Sequence, residues 1–243
     1  YKPFADLITN DGYQVITNSR KFSAEVLQGN DVLVISNALG AARMNESGAT
    51  NPAFTDAESD AVRDWVKQGG SLLLIADHAP FGAAAEILAK PFGVSMSKGY
   101  VRDPQNADPD APGRLVFSRE NKLLLDHPIT TGRTAAERIN RVFTFTGQAL
   151  KGPAGSVDFM KLGPGATDQP SAAATESVSV GGQAQGIAFK FGKGRVVVMG
   201  EAAMLSAQLA GPDKRAMGMN VPGSDNRQLA LNIMHWLSGL LNK

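Results

Sequence analysis

The chain has 243 residues, 24 basic and 23 acidic side chains and no cysteine. A net charge of +1 leaves no cationic excess to neutralise phosphates, which argues against nucleic acid as a partner. Zero cysteine excludes disulfides, thiolate metal sites and a thiol nucleophile, and the apolar runs fall well short of the ~20 residues of a membrane span.

Pro3 to Asn10 spaces Phe4, Leu7 and Ile8 as an amphipathic helix that Asp11-Gly12 stops. An α/β chain more often opens on a strand, so a strand upstream of Tyr1 is expected; the simpler alternative is a domain that begins with this helix. A cysteine-free chain whose first residue is not methionine is compatible with a periplasmic or secreted, processed protein, and otherwise with a cytoplasmic one.

Tyr13–Thr17 reads as a short strand and Ser23–Gln28 as a short helix on a serine cap. Asp31–Ser36 is apolar almost throughout, the pattern of a strand buried on both faces. After a loop to Asn51, Thr55-Asp56-Ala57-Glu58 is a capping box opening a helix with Ala61, Val62, Trp65 and Val66 along one side. Gly69-Gly70 ends it. Ser71–Ala76 is the next buried strand and Phe81–Lys90 the next helix, stopped before Pro91.

Val94–Gly113, rich in Gly, Pro, Asp and Asn, reads as an irregular excursion. Leu115–Phe117, Arg141–Phe145, Asp158–Leu162 and Ser177–Val180 predict shorter strands, an antiparallel extension of the sheet. Gln185–Phe191 should pair with Gly194–Gly200 across Gly192-Lys193-Gly194. Asp225–Leu241 is the strongest helix, with Leu229, Ile233, Trp236, Leu237 and Leu240 on one stripe. Neither a repeat nor a linker interrupts the chain, so residues 1–243 read as one α/β domain: a three-layer, doubly wound, mostly parallel sheet with a small antiparallel extension.

In such sheets ligands bind beyond the carboxyl ends of the strands. Three strands deliver Asn37, Asp77-His78 and Glu201 to that edge. His78 has the chemistry of a general base with a carboxylate beside it, or of a metal ligand with Asp77 and Glu201, a set that suits zinc, manganese or iron. It could equally close its turn through a backbone carbonyl. Asp77 is an acid or a cap. Glu201, directly after a buried strand, needs a partner, a raised pKa or a ligand; an acid–base role beside Asp77 competes with capping of a helix from Ala202.

Ser206 could act as a nucleophile with His78 but lacks a Gly-x-Ser-x-Gly elbow. Asn220 and Asn226 lie on the stretch that returns toward Glu201, and with Asn37, Ser206 and Gln148 they are candidate substrate contacts. His127 and His235 read as structural. No dinucleotide or P-loop glycine motif is present, so a nucleotide cofactor is unsupported; the expectation is either no cofactor or a divalent metal at Asp77, His78 and Glu201.

The element order from Asp31 to Gly93 and from Gly194 to Leu241 resembles the class I glutamine amidotransferase-like superfamily, whose sheet is flavodoxin-like. The resemblance implies a cysteine elbow where this chain has Ala76-Asp77-His78-Ala79-Pro80, and a late His-Pro-Glu where it has Gly200-Glu201-Ala202. Nucleophile and late histidine are both missing, so thiol-dependent glutamine hydrolysis is excluded, while the location of the site carries over to Asp77, His78 and Glu201. The expectation is a hydrolase acting on a small, uncharged or weakly charged ligand. The alternatives are a non-catalytic carbohydrate- or peptide-binding module of the same fold and a plain scaffold.

Overall fold

In the computed structural model, residues 1–241 are described. The chain runs α1 (Lys2–Asn10), α2 (Ala24–Leu27), β1 (Val32–Ser36), α3 (Asp56–Gln68), β2 (Ser71–Ile75) and α4 (Phe81–Ala89). Short strands come next, β3 (Ser95–Met96), β4 (Tyr100–Arg102), β5 (Ala107–Asp108) and β6 (Ala111–Ser118), then α5 (Pro128–Thr131) and β7 (Arg141–Phe145). The remainder is β8 (Leu150–Lys151), β9 (Val157–Lys161), β10 (Thr167–Gln169), β11 (Val178–Ser179), β12 (Ala184–Phe191), β13 (Gly194–Met199), β14 (Ala207–Ala210), β15 (Arg215–Gly218) and α6 (Asn226–Leu237).

The main sheet is mixed, in the order β1-β2-β13-β12-β8-β3 with β9 also on β12. Its parallel part is β1, β2 and β13, in register from Val32 opposite Ser71 and from Ser71 opposite Arg195. Every pairing beyond β13 is antiparallel. The β12–β13 hairpin forms as expected, with Gly192 at φ 60, left-handed backbone that glycine adopts without strain.

β2 is buried along its whole length because both faces are covered. Leu73, Ile75, Val197 and Met199 pack with Phe4 and Ile8 of α1 and with Leu229 and Ile233 of α6. The alternate residues Leu72, Leu74, Val196 and Val198 pack with Val62 and Val66 of α3 and with Ala85 and Leu88 of α4. This period of two, helices in front and behind, is what the apolar strand sequences dictate. Among the described residues no helix is long and apolar enough to cross a membrane.

α3 starts where its capping box places it: Thr55 Oγ1 accepts from the Glu58 amide at 3.3 Å and Glu58 Oε2 from the Thr55 amide at 3.0 Å. Thr55→Ala should cost about 1 kcal/mol, a typical value for an N-cap, read as a shift of the urea midpoint at unchanged slope.

Three expectations need correction. Tyr13–Thr17 forms no strand, because no neighbour offers it a ladder. Only β9 among the four shorter predicted strands joins the main sheet; β5, β6 and β7 make a separate three-stranded sheet, and β4, β10 and β11 another. The glycine- and proline-rich stretch 94–113 is not shapeless, since it supplies β3 to the main sheet and β4 to a second one. Short polar strands lack the apolar runs by which β1, β2 and β13 announce themselves. The strand and helix readings at Asp31–Ser36, Ser71–Ala76, Phe81–Lys90 and Asp225–Leu241 agree with β1, β2, α4 and α6 to within a few residues at their ends.

Candidate functional site

The parallel pairing of β2 between β1 and β13 brings the residues after each strand to one edge. Asn37 comes directly after β1 with φ 53, a left-handed conformation that asparagine tolerates better than most residues. Its backbone N–H donates to the Ile75 carbonyl at 3.0 Å, and its side-chain oxygen accepts from the Asp77 amide at 2.9 Å. Its Nδ2 donates to the Tyr1 hydroxyl at 2.9 Å. Asn37 thus locks the β1 and β2 ends together with protein bonds.

Asp77 is buried, and its Oδ1 accepts from the His78 amide at 2.7 Å. Burial raises its pKa; the His78 ring and the amides of His78 and Ala202 pull the other way without cancelling the rise. Glu201 is fully buried and accepts from the Ala203 amide at 2.6 Å and the Met204 amide at 2.8 Å. Those bonds cap the short 3₁₀ turn Ala203–Leu205, as the capping reading anticipated. Burial and then the neighbouring Asp77 charge hold its pKa well above the ordinary carboxyl value. Both shifts favour the protonated acids, and the charge of either one disfavours ionisation of the other.

His78 is half-buried. Its Nδ1 bonds the Ala79 carbonyl at 2.8 Å and its ring stacks on Tyr100 with centroids 4.5 Å apart and planes at 18°. Because a carbonyl can only accept, Nδ1 carries the hydrogen and, in the neutral ring, Nε2 keeps a free lone pair. Tyr100 reinforces the corner, its hydroxyl donating to the same carbonyl at 3.3 Å. Gln148, fully buried, donates from Nε2 to the Asp77 carbonyl, while its own amide donates to the Gly200 carbonyl at 2.7 Å. Gln148 therefore fixes the Asp77 and Glu201 turns to each other.

The remaining candidates are placed differently. Ser206 donates to the Ala203 carbonyl at 2.6 Å and accepts from Gln208 at 2.9 Å, within the same capped turn. Asn220 is exposed and donates to the Gln208 carbonyl at 3.3 Å, tying down the β14–β15 hairpin. Asn226 is fully buried and bonds both the amide and the carbonyl of Phe143, at 2.9 and 2.7 Å. It is a strut between α6 and β7, with both ends of its amide group spoken for. No three His, Asp or Glu side chains among the described residues gather as a ligand set. Asp77, His78 and Glu201 do not converge on one point as a metal requires, because the imidazole turns to Tyr100 and the Glu201 oxygens to backbone amides.

Tyr1 and Tyr100 carry no mark in the sequence. The Tyr1 hydroxyl lies close enough to the acids that burial, then the charges of Asp77 and Glu201, push its pKa up. Tyr100 sits in the stretch read as irregular; its aromatic ring two residues past a lysine gives no signal of a histidine platform.

The other two histidines are structural. His235 is buried on α6 and bonds Asp11 through Nε2 at 2.6 Å. His127 packs between Phe159 and Trp236, and its Nδ1 accepts from the Ile129 amide at 3.2 Å. Burial lowers its pKa to about 4. An NMR titration should therefore find the His127 ring neutral at pH 6 and charging only near pH 4.

No family model matches the chain, and no curated protein sequence does. Solved structures do. The mmIFT52 N-terminal domain superposes with a TM-score of 0.64 at 14% identity, over 96% of this chain and 88% of that one. A cytoplasmic protein from Salmonella typhimurium gives 0.57 at 13% identity over 97% and 85%. A ThuA-like protein from Bacteroides uniformis gives 0.52 at 14% identity over 97% and 81%. At these identities the likeness is one of fold, an α/β architecture.

Proposed function

We propose that the chain is a divergent, cysteine-free member of the amidotransferase-like, flavodoxin-like group and a hydrolase of small, uncharged or weakly charged substrates. The observation that carries this reading is His78: Nδ1 is pinned to the Ala79 carbonyl, the ring is braced on Tyr100, and Nε2 is left free on the residue that follows the buried Asp77. An imidazole oriented through one nitrogen is prepared to act as a base through the other. In this scheme Nε2 takes a proton from water as its oxygen bonds the reacting carbon, and the proton held by Asp77 and Glu201 passes to the leaving group. The imidazolium then returns its proton to the acid pair, so the net change is addition of water across one bond. Asn37 and Gln148 are positioning residues: Asn37 bonds the Asp77 amide and the Tyr1 hydroxyl, and Gln148 holds the Asp77 carbonyl through Nε2.

A second reading rests on Glu201, whose oxygens both cap backbone amides: the crevice binds a carbohydrate or peptide without turnover. A panel of chromogenic esters, anilides and glycosides separates the two. Turnover by the wild type that His78→Ala abolishes supports the hydrolase; a ligand bound but never cleaved, its affinity weakened by His78→Ala, supports the binding module.

A further inference from the structure

Along the open edge of β1 runs a groove of about 1010 Å³, with Val32 and Val34 on one side, Val15 and Ile16 on the other, and Phe4 and Ile8 of α1 at its floor. We propose that this groove is the seat of one β-strand, supplied by polypeptide continuous with the amino side of Tyr1 and running parallel to β1 into α1. The inference stands whether or not the neighbouring site is hydrolytic.

Four observations carry it. The first is the sequence of β1, which is apolar on both faces like a central strand, yet β1 pairs only with β2 and is left partly exposed where β2 is wholly buried. Because Asp31 and Asn37 turn their backbone groups to β2, the alternate residues Val32, Val34 and Ser36 turn theirs into the groove.

The second is the far wall. Residues 13–18 run alongside in the β1 direction: Tyr13 lies at the foot of the sheet, bonded to Ser238 after α6 at 2.8 Å. Phe22 lies at the top, where its amide meets Glu58 in the first turn of α3 at 3.3 Å. Val15 and Ile16 are exposed, and this run has no ladder partner.

The third is size. A five-residue strand, at ~3.3 Å per residue, ~4.8 Å between strands and ~10 Å between layers, fills about 800 Å³, within the space present.

The fourth is handedness. α1 packs on one face of the sheet, whereas α2 and α3 pack on the other. A strand seated between residues 13–18 and β1 makes its crossover through α1 run opposite in direction to those through α2 and α3. Opposite directions on opposite faces give all three crossovers the right hand. A strand placed outside residues 13–18 would make the α1 crossover left-handed. The Tyr1 hydroxyl sits at the carboxyl end of β1, on Asn37, so a strand entering at Tyr1 would end beside Asp77 and add its last side chains to that edge.

The test extends the chain on the amino side of Tyr1 by Val-Ile-Val-Leu-Val-Ser, with a Gly-Ser extension of equal length as control. Hydrogen exchange at the amides of Val32 and Val34 should slow at least tenfold with the apolar extension and stay unchanged with the control. Val34→Pro removes the N–H that faces the groove; it should be near neutral in the unextended chain and erase the gain in the extended one. Unchanged exchange, or equal protection in both extensions, overturns the proposal. So does equal protection by the free hexapeptide at millimolar concentration, which would make the groove a seat for another protein's strand, or protection that accompanies dimerisation in sedimentation. Should the apolar extension fail to fold, the Val34 amide of the unextended chain must exchange freely, while that of Leu33 is protected by β2; a protected Val34 overturns the proposal as well.

Discussion

Glu201→Ala is expected to cost about 3 kcal/mol, a fall in Tm of roughly 6–12 °C for a chain of this size. The side chain is completely buried and accepts from two backbone amides. Its removal leaves both donors unpaired and opens a void under Ala202, Met204 and Leu205, all of them core residues. Relief of the repulsion with Asp77 offsets part of that loss. Differential scanning calorimetry at pH 5 reads the result; an unchanged Tm would show that the carboxyl group is not what holds the turn.

Glu201→Gln separates shape from charge. It keeps the volume and one acceptor, so at pH 5 the expected loss is only about 1 kcal/mol. The pH dependence should differ more. Glu201 holds its proton in the folded protein at pH values where the unfolded chain has released it, so the folded state binds more protons and stability falls as pH rises from about 4.5 upward through the folded pKa. Each proton contributes at most ~1.4 kcal/mol per pH unit, and the pair with Asp77 counts as one titration. Urea unfolding between pH 5 and 8 should therefore show the difference between wild type and Glu201→Gln shrinking as pH rises. Parallel curves would mean that the buried carboxyl group ionises no differently in the two states.

Features are legible in the sequence in proportion to how strongly each is over-determined. β1, β2 and β13 can be read because a strand buried on both faces must be apolar throughout, and α3 because its capping box marks the first turn. Asp77, His78 and Glu201 stand out because each comes directly after a buried strand, and all three lie at the edge where β2 and β13 end beside β1. Their orientation was not legible. Whether the His78 ring faces Glu201 or Tyr100 depends on β4, a three-residue strand whose partners are β10 and, through it, β11, all far along the chain. Asn226 misled for a related reason: a buried amide that bonds a strand 83 residues away looks, in sequence, like any polar residue in a loop. Tyr13–Thr17 has the composition of a strand, but a strand is a relation between two segments and composition describes one.

His78→Ala should lower turnover of any substrate the wild type cleaves by about 10²- to 10⁴-fold, the usual contribution of a positioned general base. Its cost in stability should be small, because the ring is half-buried and its one hydrogen bond is to the adjacent residue. Those two effects together distinguish a base from a structural histidine, whose loss would appear in Tm first. His78→Asn sharpens the comparison: its amide can still donate to the Ala79 carbonyl as Nδ1 does, but it has no basic nitrogen where Nε2 stands. If orientation of the 77–79 turn is all that His78 supplies, asparagine should restore turnover to within a few-fold of wild type. If Nε2 takes the proton, asparagine should be as slow as alanine, with KM little changed because binding was not what was lost. Tyr100→Phe keeps the stacked ring and removes only the hydroxyl bond to the Ala79 carbonyl, so a modest loss is expected there. A Tyr100→Phe effect as large as that of His78→Ala would move the essential proton to the phenol and overturn the assignment of the base to His78.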